Sequence, residues 1–161
     1  MKILILSDTH GQNRTMYDVI AKEAPFDMLI HCGDIEGEQD RLRMKVNCTL
    51  HIVAGNNDYD SSLDRVRMID IGRYKAILTH GHRYHLYSGY DPLFYLAAEN
   101  HADFVFFGHT HVPVIHEEGP VTLINPGSLT YPRQHGRVPT YIVGTVEDGK
   151  KPVFEIKYLK E

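Results

Sequence analysis

Apolar and polar positions along this 161-residue chain change period several times. Lys2 to Leu6 is a short continuous apolar run, the pattern of a central strand buried on both faces. From Asn13 to Glu23 apolar side chains recur at Met16, Val19 and Ile20, with Tyr17 beside them, which predicts an amphipathic helix ended by Ala24-Pro25. Met28 to Cys32 predicts a second buried strand, Gln39 to Val46 a helix and Leu50 to Ala54 a third strand. Arg65 to Ile71 and Tyr74 to Thr79 read as a hairpin turning at Ile71-Gly72-Arg73. Asp91-Pro92 opens a helix running to about Asn100, with proline in the first turn where its missing N–H costs nothing.

Phe104 to Phe107 is another buried strand, and shorter strands follow near 112–116, 121–124, 140–146 and 153–158. Their turns come from Gly119-Pro120, Asn125-Pro126-Gly127-Ser128 and Glu147-Asp148-Gly149-Lys150. Strand and helix alternate in the first half, and strands dominate the second. That mixture predicts an α/β (α+β) chain of two packed sheets with helices outside, in one domain spanning 1–161.

Where these strands stop, the residue types change. Ser7-Asp8-Thr9-His10 follows the first strand, Gly33-Asp34 the second and Gly55-Asn56-Asn57-Asp58 the third; His80 follows the hairpin and Gly108-His109-Thr110-His111 follows Phe104 to Phe107. Carboxylate, amide oxygen and imidazole are the donors of a site for manganese, iron, nickel, zinc or cobalt, and the lack of a cysteine ligand argues against a structural zinc site. In Asp8-x-His10 and His109-x-His111 one residue separates the donors, so an extended backbone would point both the same way. Taken singly, each block has an ordinary reading. Asp34 could cap a helix, Asn56 could sit in a turn, and His-x-His could lie on a surface. All five in one short chain is a far rarer event.

Composition narrows the reading. Seventeen basic residues against 21 acidic give a formal charge of −4, so the phosphate-neutralising footprint of a stable nucleic-acid complex is absent, while a small nucleotide substrate stays open. The N-terminal apolar run is too short for a secretory segment and no later stretch approaches a membrane span, so a cytoplasmic protein without membrane partners is expected. Cys32 and Cys48 match no disulfide or zinc-finger framework and are expected to be buried free thiols. The histidine count of 11 is well above ordinary usage for this length.

In order and spacing, Asp8-x-His10, Gly33-Asp34, Gly55-Asn56-x-Asp58, His80 and Gly108-His109-x-His111 resemble the metallophosphoesterase (calcineurin-like phosphoesterase) superfamily. With Asn125-Pro126-Gly127-Ser128, they resemble its small stand-alone bacterial and archaeal phosphodiesterase branch. The resemblance runs from residue 1 to about residue 130. It implies a four-layer αββα sandwich and a dinuclear site of two divalent metal ions (manganese foremost; nickel, iron, zinc, cobalt or magnesium as alternatives). One metal would be held by Asp8, His10, Asp34 and His111 and the other by Asp34, Asn56, His80 and His109, with Asp34 bridging. A hydroxide between the metals would attack a small phosphodiester in line.

The pattern breaks at Asn57, where much of the superfamily has a histidine that protonates the leaving alkoxide or stabilises the transition state. An amide cannot be a useful general acid near neutral pH. Asp34, Asn56 and Asn57 are therefore expected at the catalytic centre, with His82 as a substitute proton donor or phosphate contact. Asp58 is expected to orient a ligand, and Arg133 and the cluster Tyr84, Tyr87 and Tyr90 are further candidates for substrate contacts. Two rival functions remain at this level: a phosphomonoesterase or nucleotide pyrophosphatase with the same metals, and a non-catalytic scaffold like the retromer subunit that resembles this fold. A homo-oligomer fits the branch.

Overall fold

The computed structural model describes residues 1–160. Ten strands and three α-helices follow one another as β1 (Lys2–Leu6), α1 (Asn13–Glu23), β2 (Met28–His31), α2 (Gln39–Lys45), β3 (Thr49–Ile52), β4 (Val66–Ile71), β5 (Tyr74–Thr79), α3 (Asp91–Glu99), β6 (Phe104–Phe106), β7 (Val114–Glu118), β8 (Val121–Asn125), β9 (Thr140–Thr145) and β10 (Val153–Tyr158). A single 3-10 turn, Leu86–Ser88, was not expected from the sequence.

The strands form two five-stranded sheets, ordered β10-β9-β1-β2-β3 and β4-β5-β6-β8-β7. Within the first, β1, β2 and β3 run parallel, and within the second β5, β6 and β8 do. Antiparallel strands complete both sheets on their outer sides.

The alternation of side chains along β1 shows why four layers form. Ile3 and Ile5 face the second sheet, in a core shared with Ile30, Leu78, Phe104, Phe106 and Ile142. Leu4 and Leu6 point the other way, onto Met16 and Val19 of α1 and Leu42 of α2. On the far side of the second sheet, Ile77, Val105 and Leu123 pack on Leu93 and Ala97 of α3. A strand covered on both faces reads as an unbroken apolar run, as β1 does.

Cys32 is buried between the sheets, but Cys48 is only half-buried, contrary to expectation. Cys48 precedes β3, the edge strand of its sheet, where cover is available from fewer neighbours. No helix among the described residues is long and apolar enough to cross a membrane.

Candidate metal centre

The carboxyl ends of the parallel strands meet along one edge of the sandwich, the general position for ligands in sheets of this kind. Asp8 and His10 leave β1, Asp34 leaves β2, Asn56 lies beyond β3, His80 directly follows β5, and His109 and His111 follow β6. The structure brings these seven side chains together. His111 Nε2 is 3.1 Å from Asp8 Oδ1, and His10 Nε2 is 3.7 Å from the same oxygen and 3.8 Å from Asp34 Oδ2. His80 Nε2 is 3.4 Å from Asp34 Oδ2 and 3.8 Å from Asp8 Oδ1. Asn56 Oδ1 lies 3.0 Å from His80 Nε2 and 3.2 Å from His109 Nδ1.

The backbone achieves this differently from the extended geometry expected for the two x-separated pairs. Asp8, His10, Asp34, His109 and His111 have φ of 53, 48, 55, 68 and 58°. This is the left-handed region, sparsely populated by residues other than glycine and retained where surrounding structure over-determines it. The surrounding structure here is a set of hydrogen bonds that pin the strand exits. The Asp8 and His10 N–H groups donate to the Gly33 and Asp34 carbonyls at 3.0 Å each, and the Gly108 N–H donates to His80 O at 3.0 Å. Two glycines allow the close approach: a Cβ on Gly55 would overlap the Asp34 carboxylate, and one on Gly108 would overlap Ser7 Oγ and Asp8 Oδ2.

Three of the four imidazoles are oriented through their second nitrogen. His80 Nδ1 donates to Cys32 O and His111 Nδ1 to Tyr131 O, both at 2.7 Å, and His10 Nδ1 donates to Glu36 Oε1 at 2.7 Å. Carbonyl and carboxylate oxygens only accept, so in the neutral rings these bonds place the proton on Nδ1 and leave Nε2 as a lone pair. The Nε2 lone pairs of His10 and His111 then face each other at 3.1 Å, and Nε2 of His111 faces Asp8 Oδ1 at the same separation. Asp8 Oδ1 is buried and accepts no hydrogen bond. Lone pairs converging on one another, with a buried and unsatisfied carboxylate oxygen among them, are the arrangement a cation stabilises. Two donor groups meet this description, Asp8 with His10 and His111, and Asp8 with Asp34 and His80.

The electrostatics reflect the same close approach of carboxylates and imidazoles. Burial tends to raise the Asp34 carboxyl, but hydrogen bonding and charge from His80, with two hydrogen bonds from Asn57, hold it well below the usual carboxylate range. Asp8 is likewise lowered: burial opposes ionisation, and His111, His80 and Ser7 outweigh it. His80 is raised, because Asp34 and Asp8 overcome the penalty of burial. His109 falls to about 4, through burial and the neighbouring His80.

Asn57 points at Asp34, bonding both of its carboxylate oxygens. The His82 ring lies 5.5 Å from His80 and 6.1 Å from His109, with a buried and unpartnered Nδ1. Asp58 accepts the backbone N–H groups of Asp34, Gly55 and Glu36 at 2.7, 2.8 and 2.7 Å, which supports the orienting role read from sequence. The Asn125 to Ser128 turn supports the site as well: Asn125 Nδ2 donates to Gly108 O at 3.0 Å and Ser128 Oγ to Asp8 O at 2.8 Å.

Two supporting residues escaped the sequence reading. Glu36 fixes His10, and its only signal is a carboxylate two residues beyond Asp34. Buried His31 accepts the Gly33 N–H at Nδ1 (3.2 Å), and its Nε2 meets Thr9 Oγ1 at 3.0 Å; burial pushes it down to about 4.

The chain is 33% identical over 161 residues to the probable metallophosphoesterase MG207 of Mycoplasma genitalium, covering 98% of this chain and 95% of that one. It is 25% identical over 158 residues to the phosphodiesterase YfcE of Escherichia coli K12, covering 83% and 82%. Among solved structures, a conserved Streptococcus pneumoniae TIGR4 protein described as a predicted phosphoesterase superposes with a TM-score of 0.83 at 29% identity, covering 98% and 88%. An archaeal phosphodiesterase superposes with a TM-score of 0.78 at 25% identity over 99% and 100%. Zinc-complexed Vps29 of Entamoeba histolytica does so with a TM-score of 0.78 at 23% identity over 98% and 99%, a likeness of fold alone. The profile of the calcineurin-like phosphoesterase superfamily domain matches residues 1–149, so the chain belongs to that superfamily of metal-dependent phosphoric ester hydrolases.

Proposed function

We propose that the chain hydrolyses small phosphate diesters at a dinuclear centre. In this reading Asp8, His10, Asp34 and His111 hold one divalent cation and Asp34, Asn56, His80 and His109 hold the other, with Asp34 shared. The observation that carries it is the convergence of His10, His80 and His111 Nε2, at 3.7, 3.8 and 3.1 Å, on the buried and unsatisfied Asp8 Oδ1. Two divalent cations there would supply Lewis acidity, polarising phosphoryl oxygens and making a water molecule acidic enough to attack at neutral pH.

The protein's own residues set the geometry of that reaction. Asn57 fixes the rotation of the shared carboxylate. Cys32 O, Tyr131 O and Glu36 fix three imidazole planes. His82, whose ring lies beside those of His80 and His109, is assigned to the leaving-group side. The preference for diesters is supported by the relatives named as phosphodiesterases.

The test is turnover of bis(p-nitrophenyl) phosphate against p-nitrophenyl phosphate, across manganese, nickel, iron, cobalt, magnesium and zinc, with Asp34→Asn as control. Metal-dependent diester cleavage is expected. Cleavage of the monoester alone would make the chain a phosphomonoesterase. Neither bound nor activating metal would favour a scaffold, against which stands a complete donor set that a scaffold has little physical reason to keep.

A further inference from the structure

Beside the metal centre, on the side of His10 and His111, lies a cavity of about 510 Å³ lined by Thr130, Tyr131, Pro132, Arg133 and Arg137. Between Glu118 and Glu147 the chain carries no acidic residue. Neither Arg133 nor Arg137 has a carboxylate within 4.0 Å among the described residues; the carboxylates that do pair, such as Glu23, Asp40, Asp64 and Glu117, are engaged by other cations. Two guanidinium groups without a carboxylate partner, on one cavity wall, concentrate positive charge in a protein of net charge −4.

This cavity is built onto the metal centre. Tyr131 O receives the His111 Nδ1–H at 2.7 Å, and the Tyr131 ring lies 5.4 Å from that of His10. The Arg133 N–H donates to His111 O at 3.0 Å, while its guanidinium donates to Tyr87 Oη at 3.0 Å, and the Tyr87 ring rests 5.9 Å from His109. Thr130 Oγ1 bonds Thr9 O at 2.9 Å, and Arg137 holds its loop in the left-handed conformation (φ 47°) with its N–H on Gln134 O at 3.0 Å. The loop is thus tethered to both histidine-bearing segments before any substrate arrives, the preorganisation that makes a binding contact effective.

A second cavity, of about 460 Å³, lies on the Asn57 side and contains Glu36, Asp58 and Asp60. Those carboxylates already accept bonds from His10, from backbone N–H groups and from Gln39 and Ser62, so they are committed to the fold.

We infer that Arg133 and Arg137 form a subsite for a second phosphoryl group, so that the substrate is a diester bearing another phosphate beyond the scissile one. This rests on the proposed diesterase reading, and it narrows the substrate class to nucleotide-like polyanions. Arg133 bonds the group from the histidine side, where Tyr87 orients its guanidinium, and Arg137 closes the outer wall.

The matched substrates are thymidine 5′-(p-nitrophenyl phosphate) and the same ester carrying a 3′-phosphate. The parent protein is expected to favour the 3′-phosphorylated ester in kcat/KM by on the order of ten- to a hundredfold, the effect of charge-assisted bonds. In R133Q/R137Q the ratio of the two should fall towards unity. No preference in the parent, or a preference that survives the double substitution, overturns the subsite while leaving the diesterase reading intact. If neither ester is cleaved with any metal, the diesterase reading fails by itself. Calorimetric binding of thymidine 3′,5′-bisphosphate against thymidine 5′-phosphate to the metal-loaded parent and R133Q/R137Q then decides the subsite by the same ratio.

Discussion

Asn57 grips the carboxylate of Asp34 twice, through its backbone N–H to Oδ1 and its side-chain amide to Oδ2, each at 2.9 Å. The residue that breaks the superfamily pattern is therefore engaged in holding the carboxylate proposed to be shared by two cations. Removing the amide should loosen that carboxylate without unfolding the half-exposed loop. Asn57→Ala is expected to weaken metal affinity by on the order of ten- to a hundredfold, as for other residues that orient a ligand. Titration of manganese into metal-free protein, followed by calorimetry, measures it directly. An unchanged affinity would reduce Asn57 to a turn residue.

The same contact leaves the leaving group poorly served. An amide already donating to Asp34 has no acidic proton to pass on. In a series of aryl phosphodiesters, kcat/KM should fall steeply as the leaving-group pKa rises. A flat series with chemistry rate-limiting would mean that another group, with His82 the first to examine, delivers the proton. His82→Gln separates the cases: it steepens the slope if the imidazole is the donor.

Much of the site was legible because most of its ligands follow buried strands, the easiest elements to read; Asn56 is the exception, since it follows the edge strand β3, of which only Ile52 is buried. The runs at Lys2–Leu6 and Met28–Ile30 have almost no polar interruption, so the position where Asp8 and Asp34 begin is unambiguous. The left-handed backbone of Asp8, His10, Asp34, His109 and His111 was not legible. Asp and His enter the left-handed region more readily than most residues, but nothing local selects it here, and hydrogen bonds between distant strand exits, such as Asp8 N–H to Gly33 O, hold it. Sheet order was hidden for the same reason: β9 pairs with β1 across almost the whole chain. Glu36, His31 and the tether from Arg133 to Tyr87 likewise depend on contacts that no local pattern announces.

Away from the metal centre, Tyr141 Oη donates to Glu23 Oε1 at 2.7 Å, and Lys2 Nζ meets Glu23 Oε2 at 3.0 Å. Burial opposes the ionised Glu23, but the bonds from Tyr141 and Lys2 prevail and lower it. Burial and Glu23 together raise Tyr141. A lowered carboxyl contributes stability above its unfolded value that is lost as pH falls through its folded value. A raised phenol contributes stability below its unfolded value, about 10, that is lost as pH climbs above it. Urea unfolding against pH should show both losses in the parent. Tyr141→Phe should cost about 1 kcal/mol at neutral pH, abolish this tyrosine's share of the alkaline loss and shrink the acid one. An alkaline limb identical in both proteins would place its origin in another group.

Chelation offers the most direct check on the donor cluster. A ligand that binds only the folded state stabilises it by about 2.7 kcal/mol at a hundredfold excess over its dissociation constant, which for a chain of this size is roughly 5–10 °C in melting temperature. Protein melted in chelator should therefore unfold that much earlier than protein saturated with manganese, and added manganese should restore the difference. The increment should shrink as pH falls, because each imidazole nitrogen must lose its proton before it can bind a cation. Asp34→Asn keeps the size of the side chain but removes the charge central to both proposed cation positions. The melting temperature of Asp34→Asn should barely respond to manganese, whereas that of Asn57→Ala should respond at higher metal concentration. A full increment in Asp34→Asn would show that the cation is held elsewhere, and the assignment of Asp34 as the shared ligand would have to be abandoned.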